Sequence, residues 1–206
     1  MINKPTIIIA GEPNSIFLEI FFKSIKSKKY KSPLILICSL EILKFQMKKF
    51  GFKKKIKILD PLNIYNYDLN NSSINLINIK YNFNFSFSHI TNKSNDYIKR
   101  SFDIAFKIIK LGITDKLING PISKKNFLNK KFLGITEYIA HEFSIKKSAM
   151  LIYNKNLSVC PITTHLPLKS VSKKINKKII FEKIKLIDDF YKNKFRIKPK
   201  MAILGL

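Results

Sequence analysis

Residues 6–15 read Thr-Ile-Ile-Ile-Ala-Gly-Glu-Pro-Asn-Ser, and they set the pattern for the fold. The run Thr6–Ala10 is short, apolar and rich in β-branched residues, which is typical of a buried strand. Gly11-Glu12-Pro13 then predicts a tight turn, because glycine and proline interrupt regular structure. Ser15 is a suitable cap for a helix that continues to about Lys28. The stretch therefore predicts a strand, a turn and a helix in succession.

The following residues repeat this order of elements. Pro33–Cys38 predicts a second buried strand, Ser39 is a suitable cap for a helix over Leu40–Phe50, and Gly51 is a suitable end for it. Strands that alternate with helices indicate a parallel sheet, since a parallel pair needs a crossover connection. We therefore predict an α/β fold with a parallel-rich sheet and helices on both faces.

Later segments continue the pattern less regularly. Residues 60–84 are rich in Asn, Asp and Ser, and predict an irregular excursion with one or two strands. From Ser94 to Gly112 the apolar residues recur at three- and four-residue steps, which predicts a long helix. The remaining predicted elements are strands over Lys116–Ile118, Ala149–Tyr153, Leu157–Ile162 and from Met201 onwards, a helix that begins near Ser123, and a helix over about Lys177–Phe195.

The formal net charge of +26 is the most unusual property of the composition. Basic surfaces attract nucleic acids and anionic membranes. Only Arg100 and Arg196 of the 39 basic residues are arginines, whereas base recognition and bidentate phosphate binding favour arginine. The lysines are spread along the whole chain with many Ile, Asn and Phe residues, and all four amino acids have A/T-rich codons. Genomic base composition explains them together, so we expect no specific nucleic-acid partner.

The sequence contains no signal for a membrane or an oxidising compartment. No run of about 18 uncharged apolar residues occurs, and the apolar run near the N-terminus is too short for a signal peptide. Cys38 and Cys160 lie far apart without CxxC spacing, so we expect reduced thiols and no zinc knuckle. The sequence predicts a cytoplasmic protein with no membrane partner.

Four segments carry signatures that occur in a fixed order along the chain. They are Gly11-Glu12-Pro13 with Ile16 and Glu19, then Asn119-Gly120-Pro121-Ile122-Ser123-Lys124, Gly134-Ile135-Thr136-Glu137-Tyr138-Ile139-Ala140, and Thr163-Thr164-His165-Leu166-Pro167-Leu168. In order and spacing they resemble the 4-hydroxythreonine-4-phosphate dehydrogenase family, and the last segment matches almost letter for letter. A Gly-Glu-Pro turn alone occurs in many proteins, but four such segments together are specific.

The resemblance implies a fold and an activity. The fold is similar to that of the isocitrate and isopropylmalate dehydrogenases, and the family is homodimeric. The activity is NAD-dependent oxidation and decarboxylation of 4-phosphooxy-L-threonine in pyridoxal phosphate biosynthesis. The family binds NAD largely through C-terminal residues, without a Gly-x-Gly-x-x-Gly loop, and this chain contains no such loop.

The resemblance covers the first two-thirds of the family's length. We therefore expect residues 1–206 to form an incomplete region, as a fragment or as a truncated form, that lacks the family's C-terminal third. Two metal-binding histidines and most of the cofactor-binding residues lie in that third. The resemblance thus predicts that the chain alone does not reduce NAD.

The family's site residues can be placed on this sequence by motif. His165 is implied as one ligand of a divalent metal, which we expect to be zinc, cobalt or magnesium. A neutral imidazole is a suitable ligand for zinc, cobalt or similar ions. Thr136 is implied as a substrate contact. Ile135 stands where the family has a substrate-binding histidine, and an isoleucine can neither donate nor accept a hydrogen bond. His89 and His141 are at no family position, and we interpret both as structural or surface residues.

The turn Asn119–Lys124 has two interpretations. Gly120 and Ser123 could present backbone N–H groups to a substrate phosphate, and Lys124 could add its ammonium group, since a helix N-terminus suits an anion. Alternatively, the segment is an ordinary connection between a strand and a helix. The residues alone leave this choice open.

Two alternatives to the main hypothesis remain at this point. Ile135 is compatible with a related dehydrogenase that acts on another phosphorylated hydroxy acid. The charge is compatible with a basic nucleic-acid-binding protein built on an α/β scaffold, which would require lysines on one face beside aromatic residues.

Overall fold

The computed structural model describes residues 3–82, 94–128, 131–164 and 166–205. The chain divides into two compact units, Met1–Phe127 and Leu128–Leu206. The first unit contains a five-stranded sheet and three α-helices. Its strands are β1 (Thr6–Ile9), β2 (Leu34–Cys38), β3 (Ile56–Ile58), β4 (Ile74–Asn78) and β5 (Leu117–Asn119), and its helices are α1 (Phe17–Ser27), α2 (Leu40–Lys49) and α3 (Asn95–Lys110).

The sheet is parallel throughout, which confirms the predicted fold class. The strand order is β3-β4-β2-β1-β5, so β1 lies in the interior of the sheet. Ile8 at the centre of β1 pairs with Leu36 of β2 on one side and with Ile118 of β5 on the other. The apolar stretch that opens the sequence thus becomes the strand on which the flanking strands assemble.

Helices cover both faces of this sheet, because consecutive side chains of a strand point to opposite faces. On one face Ile8, Leu36 and Leu76 pack in a cluster with residues of α1 and α2 that include Phe22 and Leu43. The opposite face carries Ile7, Ile9, Ile35 and Ile37, all fully buried. Helix α3 contacts β1 and β2 and buries Ile98, Phe102 and Ala105. Each fully buried side chain of this kind contributes about 1.5–3 kcal/mol, so the two layers hold the sheet firmly.

The ends of the helices follow local capping chemistry. The Ser39 hydroxyl accepts a hydrogen bond from the Ile42 amide at 3.4 Å, which confirms Ser39 as the cap of α2. Ser15 is not in the capping position of α1, which is occupied by Ile16. The Ser15 hydroxyl instead accepts a 3.3 Å hydrogen bond from the amide of Phe17, which is the first residue of α1. The helix predicted near Ser123 is a single π-helical turn, Lys124–Leu128.

The second unit is mainly helical, with α4 (Ile135–Glu142), α5 (Leu168–Lys174) and α6 (Lys177–Phe195). The bounds predicted for α6 are confirmed, and the Asn176 side chain caps it by accepting from the Ile179 amide at 3.0 Å. The strands predicted over Ala149–Tyr153 and Leu157–Ile162 are wrong: these segments share one antiparallel bridge, between Ile152 and Val159.

The strand predicted from Met201 is wrong as well, since residues 201–205 form no regular structure. An apolar segment becomes a strand only where a neighbouring strand accepts its backbone hydrogen bonds. In the described part of the second unit, no sheet is present to provide such a neighbour.

Candidate functional site

The candidate site of the first unit lies at the carboxyl edge of the sheet, beside β1 and β5. The chain proceeds from β1 to β2 on one side and reaches β5 on the other only after α3. Ligands of open parallel sheets bind outside the carboxyl ends of the strands, at the point where the strand order reverses. The first two signature segments follow β1 and β5, so the fold brings them to this point together.

The two signature turns are in direct backbone contact. Gly11 has a φ of +78°, and a Cβ atom added to it would lie 2.3 Å from the carbonyl oxygen of Pro121. A Cβ atom added to Gly120 would lie 2.2 Å from the carbonyl oxygen of Ala10. The Glu12 amide donates to the Pro121 carbonyl at 2.9 Å, and the Gly120 amide donates to the Ile9 carbonyl at 2.7 Å. Glycine is therefore required at both positions, because any side chain would push the turns apart.

Glu12 connects three elements at this edge through its buried carboxylate. Its Oε2 atom accepts from the Ser94 hydroxyl at 2.7 Å, just before α3 begins. Its Oε1 atom accepts from the Ser123 amide at 3.4 Å, in the turn after β5. Only 4% of Glu12 is exposed, and a buried carboxylate needs such donors because it has lost its hydration. Glu12 is thus a positioning residue for the turns that surround it.

An aromatic and thiol cluster lies at the carboxyl end of β2. The Tyr97 hydroxyl accepts a hydrogen bond from the Ser39 amide at 3.2 Å, and its ring centroid is 5.0 Å from that of Tyr81. Burial raises the pKa of the Cys38 thiol to about 12, so this thiol is neutral at physiological pH. Burial and then the negative charge of Glu12 raise the pKa of Tyr81. These groups keep this part of the edge uncharged apart from Glu12.

The predicted phosphate-binding residues lie at this edge, and two of their backbone amides already donate hydrogen bonds within the protein. The amide of Gly120 completes the sheet, and the amide of Ser123 points to Glu12. The Ser123 hydroxyl accepts from the Asn126 amide at 3.3 Å. The Lys124 side chain is exposed. A phosphate at this turn would meet the Lys124 ammonium, whereas the Ser123 amide is held by a carboxylate of the same charge sign as the phosphate.

The other predicted substrate residues belong to the second unit. Ile135 and Thr136 are half-buried in the first turn of α4, after the buried residue Gly134. His141 is exposed at the other end of α4, where its ring lies 5.2 Å from that of Phe132. This agrees with its interpretation as a surface residue. The predicted metal ligand His165 and the histidine at position 89 lie outside the described residues.

The described residues contain neither a cluster of metal ligands nor a membrane-spanning helix. Among residues 3–82, 94–128, 131–164 and 166–205, no three His, Cys, Asp or Glu side chains are placed to hold a metal ion together. Within the same ranges, no helix is long and apolar enough to cross a membrane. The metal remains a proposal that depends on the motif around His165.

The sequence alone identified Glu12 as part of a signature but not its partners, and it missed Tyr81, Ser94 and Tyr97. Ser94 could have been noticed, since it directly precedes the helical periodicity of α3. Tyr97 was part of the predicted helical periodicity, but its hydrogen bond with the Ser39 amide depends on how α3 crosses the sheet. Tyr81 carried no signal.

The chain is similar in sequence to known proteins. A family model described as pyridoxal phosphate biosynthetic protein PdxA matches residues 28–206. The 4-hydroxythreonine-4-phosphate dehydrogenase of Sulfurihydrogenibium sp. (strain YO3AOP1) is 34% identical over 203 residues, which are 97% of this chain and 62% of the relative. The enzyme of the same name from Aquifex aeolicus is 28% identical and matches 99% of this chain and 63% of its own length. The chain thus spans about three-fifths of the length of these relatives.

Solved structures show the same fold. The 4-hydroxythreonine-4-phosphate dehydrogenase of Klebsiella pneumoniae superimposes with a TM-score of 0.76 at 21% identity, over 92% of this chain and 60% of the other. The corresponding structure from Burkholderia phymatum gives a TM-score of 0.73 at 19% identity, over 89% of this chain and 57% of the other. Because the family model matches most of this chain, residues 28–206, the chain belongs to the PdxA family of pyridoxal phosphate biosynthetic proteins.

Proposed function

We propose that the chain takes part in the NAD-dependent oxidation of the C3 hydroxyl of 4-phosphooxy-L-threonine and the decarboxylation of the resulting β-keto acid. The main support is the contact between Gly11 and Gly120, which unites two family signatures at the edge where parallel sheets bind ligands. Membership of the PdxA family supports the same reaction.

In this proposal the residues of the first unit bind and orient the substrate. Glu12 holds Ser94 and the Ser123 amide in place, which fixes the turn that leads to Lys124. The Lys124 ammonium then attracts the substrate phosphate. Orientation of this kind lowers the barrier because the reacting hydroxyl spends more of its time facing the hydride acceptor.

For Thr136 and His165, which belong to the second unit, the proposed roles rest on the family resemblance alone. The Thr136 hydroxyl would hydrogen-bond the substrate from the first turn of α4. His165 would provide one imidazole to a divalent metal, zinc, cobalt or magnesium, which when bound polarises the substrate hydroxyl. NAD is the proposed hydride acceptor. A cytoplasmic homodimer completes the proposal, and it follows the family.

One observation supports a second substrate. Ile135 presents an apolar side chain at a position where the family has a histidine, and it lies half-buried at the start of α4. A related dehydrogenase of another phosphorylated hydroxy acid, with an apolar group at that point, would suit it. The two substrates can be separated by assay.

The proposal is tested with a chimera, in which the C-terminal third of the Sulfurihydrogenibium relative is fused to this chain. NADH absorbance is followed with 4-phosphooxy-L-threonine and added zinc, cobalt or magnesium. We expect metal-dependent turnover by the chimera, and background from the 206-residue chain alone. His165→Ala in the chimera should lower the rate by about a thousandfold, since loss of a metal contact removes several kcal/mol of transition-state stabilisation.

The matched control is His141→Ala, which alters an exposed histidine of the same unit. Its rate should stay within about twofold of the parent chimera, since surface substitutions rarely exceed 0.5 kcal/mol. Turnover that survives His165→Ala, or a folded chimera with no turnover on any phosphorylated hydroxy acid, would contradict the proposal.

A further inference from the structure

A cavity of about 580 Å³ lies at the amino edge of the sheet, opposite the candidate site. Leu34 and Ile74, which are among its lining residues, are the first residues of β2 and β4. Lys54 precedes β3, and Phe21 and Ile25 belong to α1. The cavity therefore spans the amino ends of three neighbouring strands, within the first unit. Ligand cavities in proteins are commonly about 300–1,000 Å³, so this one can hold a small organic molecule.

The walls of the cavity are fixed by hydrogen bonds of the protein itself. The Asn71 side chain donates to the carbonyls of Tyr30 and Ser32, both at 2.9 Å, and accepts from the Leu34 amide at 2.9 Å. The Tyr30 hydroxyl is hydrogen-bonded to that of Ser24. The loop between α1 and β2 is thus held open before any ligand arrives, which lowers the entropy cost of binding.

The charge of the lining is of one sign. Lys26, Lys28, Lys29 and Lys54 contribute ammonium groups, and no acidic side chain is among the lining residues described here. Lys54 is half-buried, in contrast to Lys53 and Lys55 on either side of it, which are exposed and do not line the cavity. A lysine-rich composition alone does not explain why only Lys54 of the three consecutive lysines lines the cavity. Ser73 adds a hydroxyl group to the lining, whereas the neighbouring Ser72 hydroxyl already donates to the Asn70 side chain.

The floor of the cavity is apolar. Phe21 and Ile74 are buried, and Ile25 and Leu34 are half-buried beside them. A flat ring that covers this floor would gain the contacts of an apolar surface, while its charged substituent stayed at the rim among the lysines. Inorganic phosphate would use only the rim, and an uncharged ring would use only the floor.

We propose that this cavity is a binding site for a small phosphate ester that carries a flat heterocyclic ring. The site is separate from the proposed dehydrogenase chemistry, since the two lie at opposite edges of the sheet. Its test measures binding alone and needs neither metal nor turnover. Failure of the proposed function would therefore leave this proposal intact, and the reverse holds as well.

Isothermal titration calorimetry on the 206-residue chain provides the test, with adenosine 5′-monophosphate and pyridoxine 5′-phosphate as probes. Pyridoxine 5′-phosphate is chosen because it has no aldehyde that would react with lysines. We expect at least one probe to bind about tenfold more tightly than both inorganic phosphate and its own unphosphorylated parent, adenosine or pyridoxine, because only the ester uses rim and floor together. Preference for one probe identifies the ring as a purine or a pyridine.

Lys54→Gln should weaken binding of that probe about fivefold, by removal of a charge-assisted hydrogen bond at a half-exposed site. Lys53→Gln removes the same charge from the neighbouring position and should change the affinity less than about twofold. Circular dichroism shows whether each variant is folded. If Lys54→Gln proves unfolded, Lys28→Gln at the rim replaces it, with Lys31→Gln as its control.

Three results would overturn the proposal. Equal effects of Lys53→Gln and Lys54→Gln would show diffuse attraction by a basic surface. Probe affinities no greater than that of inorganic phosphate would show that the floor is not used. Amide shifts in NMR spectra that concentrate at Glu12 and Ser94, rather than at Ile25 and Ile74, would place the probe at the opposite edge.

Discussion

The carboxylate of Glu12 accepts a 2.7 Å hydrogen bond from the hydroxyl of Ser94, 82 residues further along the chain. The bond joins the turn after β1 to the start of α3, and a second bond to the Ser123 amide joins both to the turn after β5. Loss of a charged, buried acceptor removes one hydrogen bond from each of its donors, which costs about 1–3 kcal/mol for each bond. Glu12 is thus expected to matter for stability as well as for the site.

Glu12→Ala should lower the free energy of unfolding by about 2–4 kcal/mol, because the buried Ser94 hydroxyl and the half-buried Ser123 amide both lose their bond to a charged acceptor. The measurement is urea denaturation followed by circular dichroism. The control is Glu19→Ala, which removes only an exposed ion pair with Lys23 and should cost about 0.5 kcal/mol. Equal losses in the two variants would show that the Glu12 contacts are energetically unimportant.

Gly11→Ala and Gly112→Ala form a matched pair that isolates the contact between the two signature turns. Both glycines have positive φ, +78° and +75°, but a Cβ atom on Gly112 would meet nothing within 4 Å. Gly112→Ala should cost about 1–2 kcal/mol for the backbone conformation alone. Gly11→Ala should cost at least about 1–3 kcal/mol more, because the added methyl group overlaps the Pro121 carbonyl.

Gly120→Ala extends this test to a glycine without positive φ. Its cost should arise from the overlap with the Ala10 carbonyl and should be about 1–3 kcal/mol. Chemical denaturation of the three variants gives all the differences required. A loss for Gly11→Ala no larger than that for Gly112→Ala would mean that the two turns separate at little cost.

The Cys38 thiol should make stability depend on pH in the alkaline range. Burial raises its pKa from 9.0 to about 12, so above pH 9 the thiol ionises in the unfolded chain but not in the folded one. Its contribution to stability is therefore complete below pH 9 and is lost as the pH rises towards 12. Relative to Cys38→Ala, the unfolding equilibrium constant of the wild-type chain should rise up to about tenfold per pH unit in this window.

Thiol labelling checks the same environment independently. Cys38 is buried, whereas Cys160 is half-buried. A thiol reagent at neutral pH should label Cys160 first and reach Cys38 only when the first unit unfolds, because the thiolate is the reactive form. Equal labelling rates in the folded chain would show that Cys38 is accessible.

Ile135→His in the chimera should restore a polar contact at the start of α4. We expect the KM for 4-phosphooxy-L-threonine to fall about three- to tenfold, since one hydrogen bond contributes about 0.5–1.5 kcal/mol, with little change in kcat. Ile145→His, at an exposed isoleucine beyond the end of α4, is the control and should leave KM unchanged. An increase in KM for Ile135→His would favour a substrate with an apolar group at this position.

Local sequence patterns predicted the elements whose causes are local. The bounds of α6 and the Ser39 cap of α2 are examples, because helical periodicity and capping involve neighbouring residues. The strand β4 was only partly anticipated, since two of its five residues are asparagines. Its Asn75 side chain donates to the carbonyls of Leu34 and Asn70, whereas its buried Oδ1 atom accepts no hydrogen bond from the described residues. No local pattern reveals these contacts.

Strands were predicted less well than helices, because a strand depends on a partner that lies far away in the sequence. β3 lies in a lysine-rich segment that suggested no strand. It forms because its backbone exchanges hydrogen bonds with the neighbouring strand β4. The apolar segments Ala149–Tyr153 and Leu157–Ile162 looked more like strands than β3 does, yet they share a single bridge. The candidate site followed the same rule: the signature turns were visible in the sequence, but the residues that position them were not.

The interior position of β1 has a consequence for synthesis on the ribosome. β1, β2 and β4 all precede β5 along the chain, so β2 and β4 can assemble on one side of β1 before β5 is made. Its other edge stays unpaired until Leu117–Asn119 has left the exit tunnel, and an unpaired apolar edge is a template for aggregation. A nascent chain that pauses before Asn119 would leave one edge of this apolar strand exposed, so chaperone binding should be greatest over that interval and should end when β5 docks.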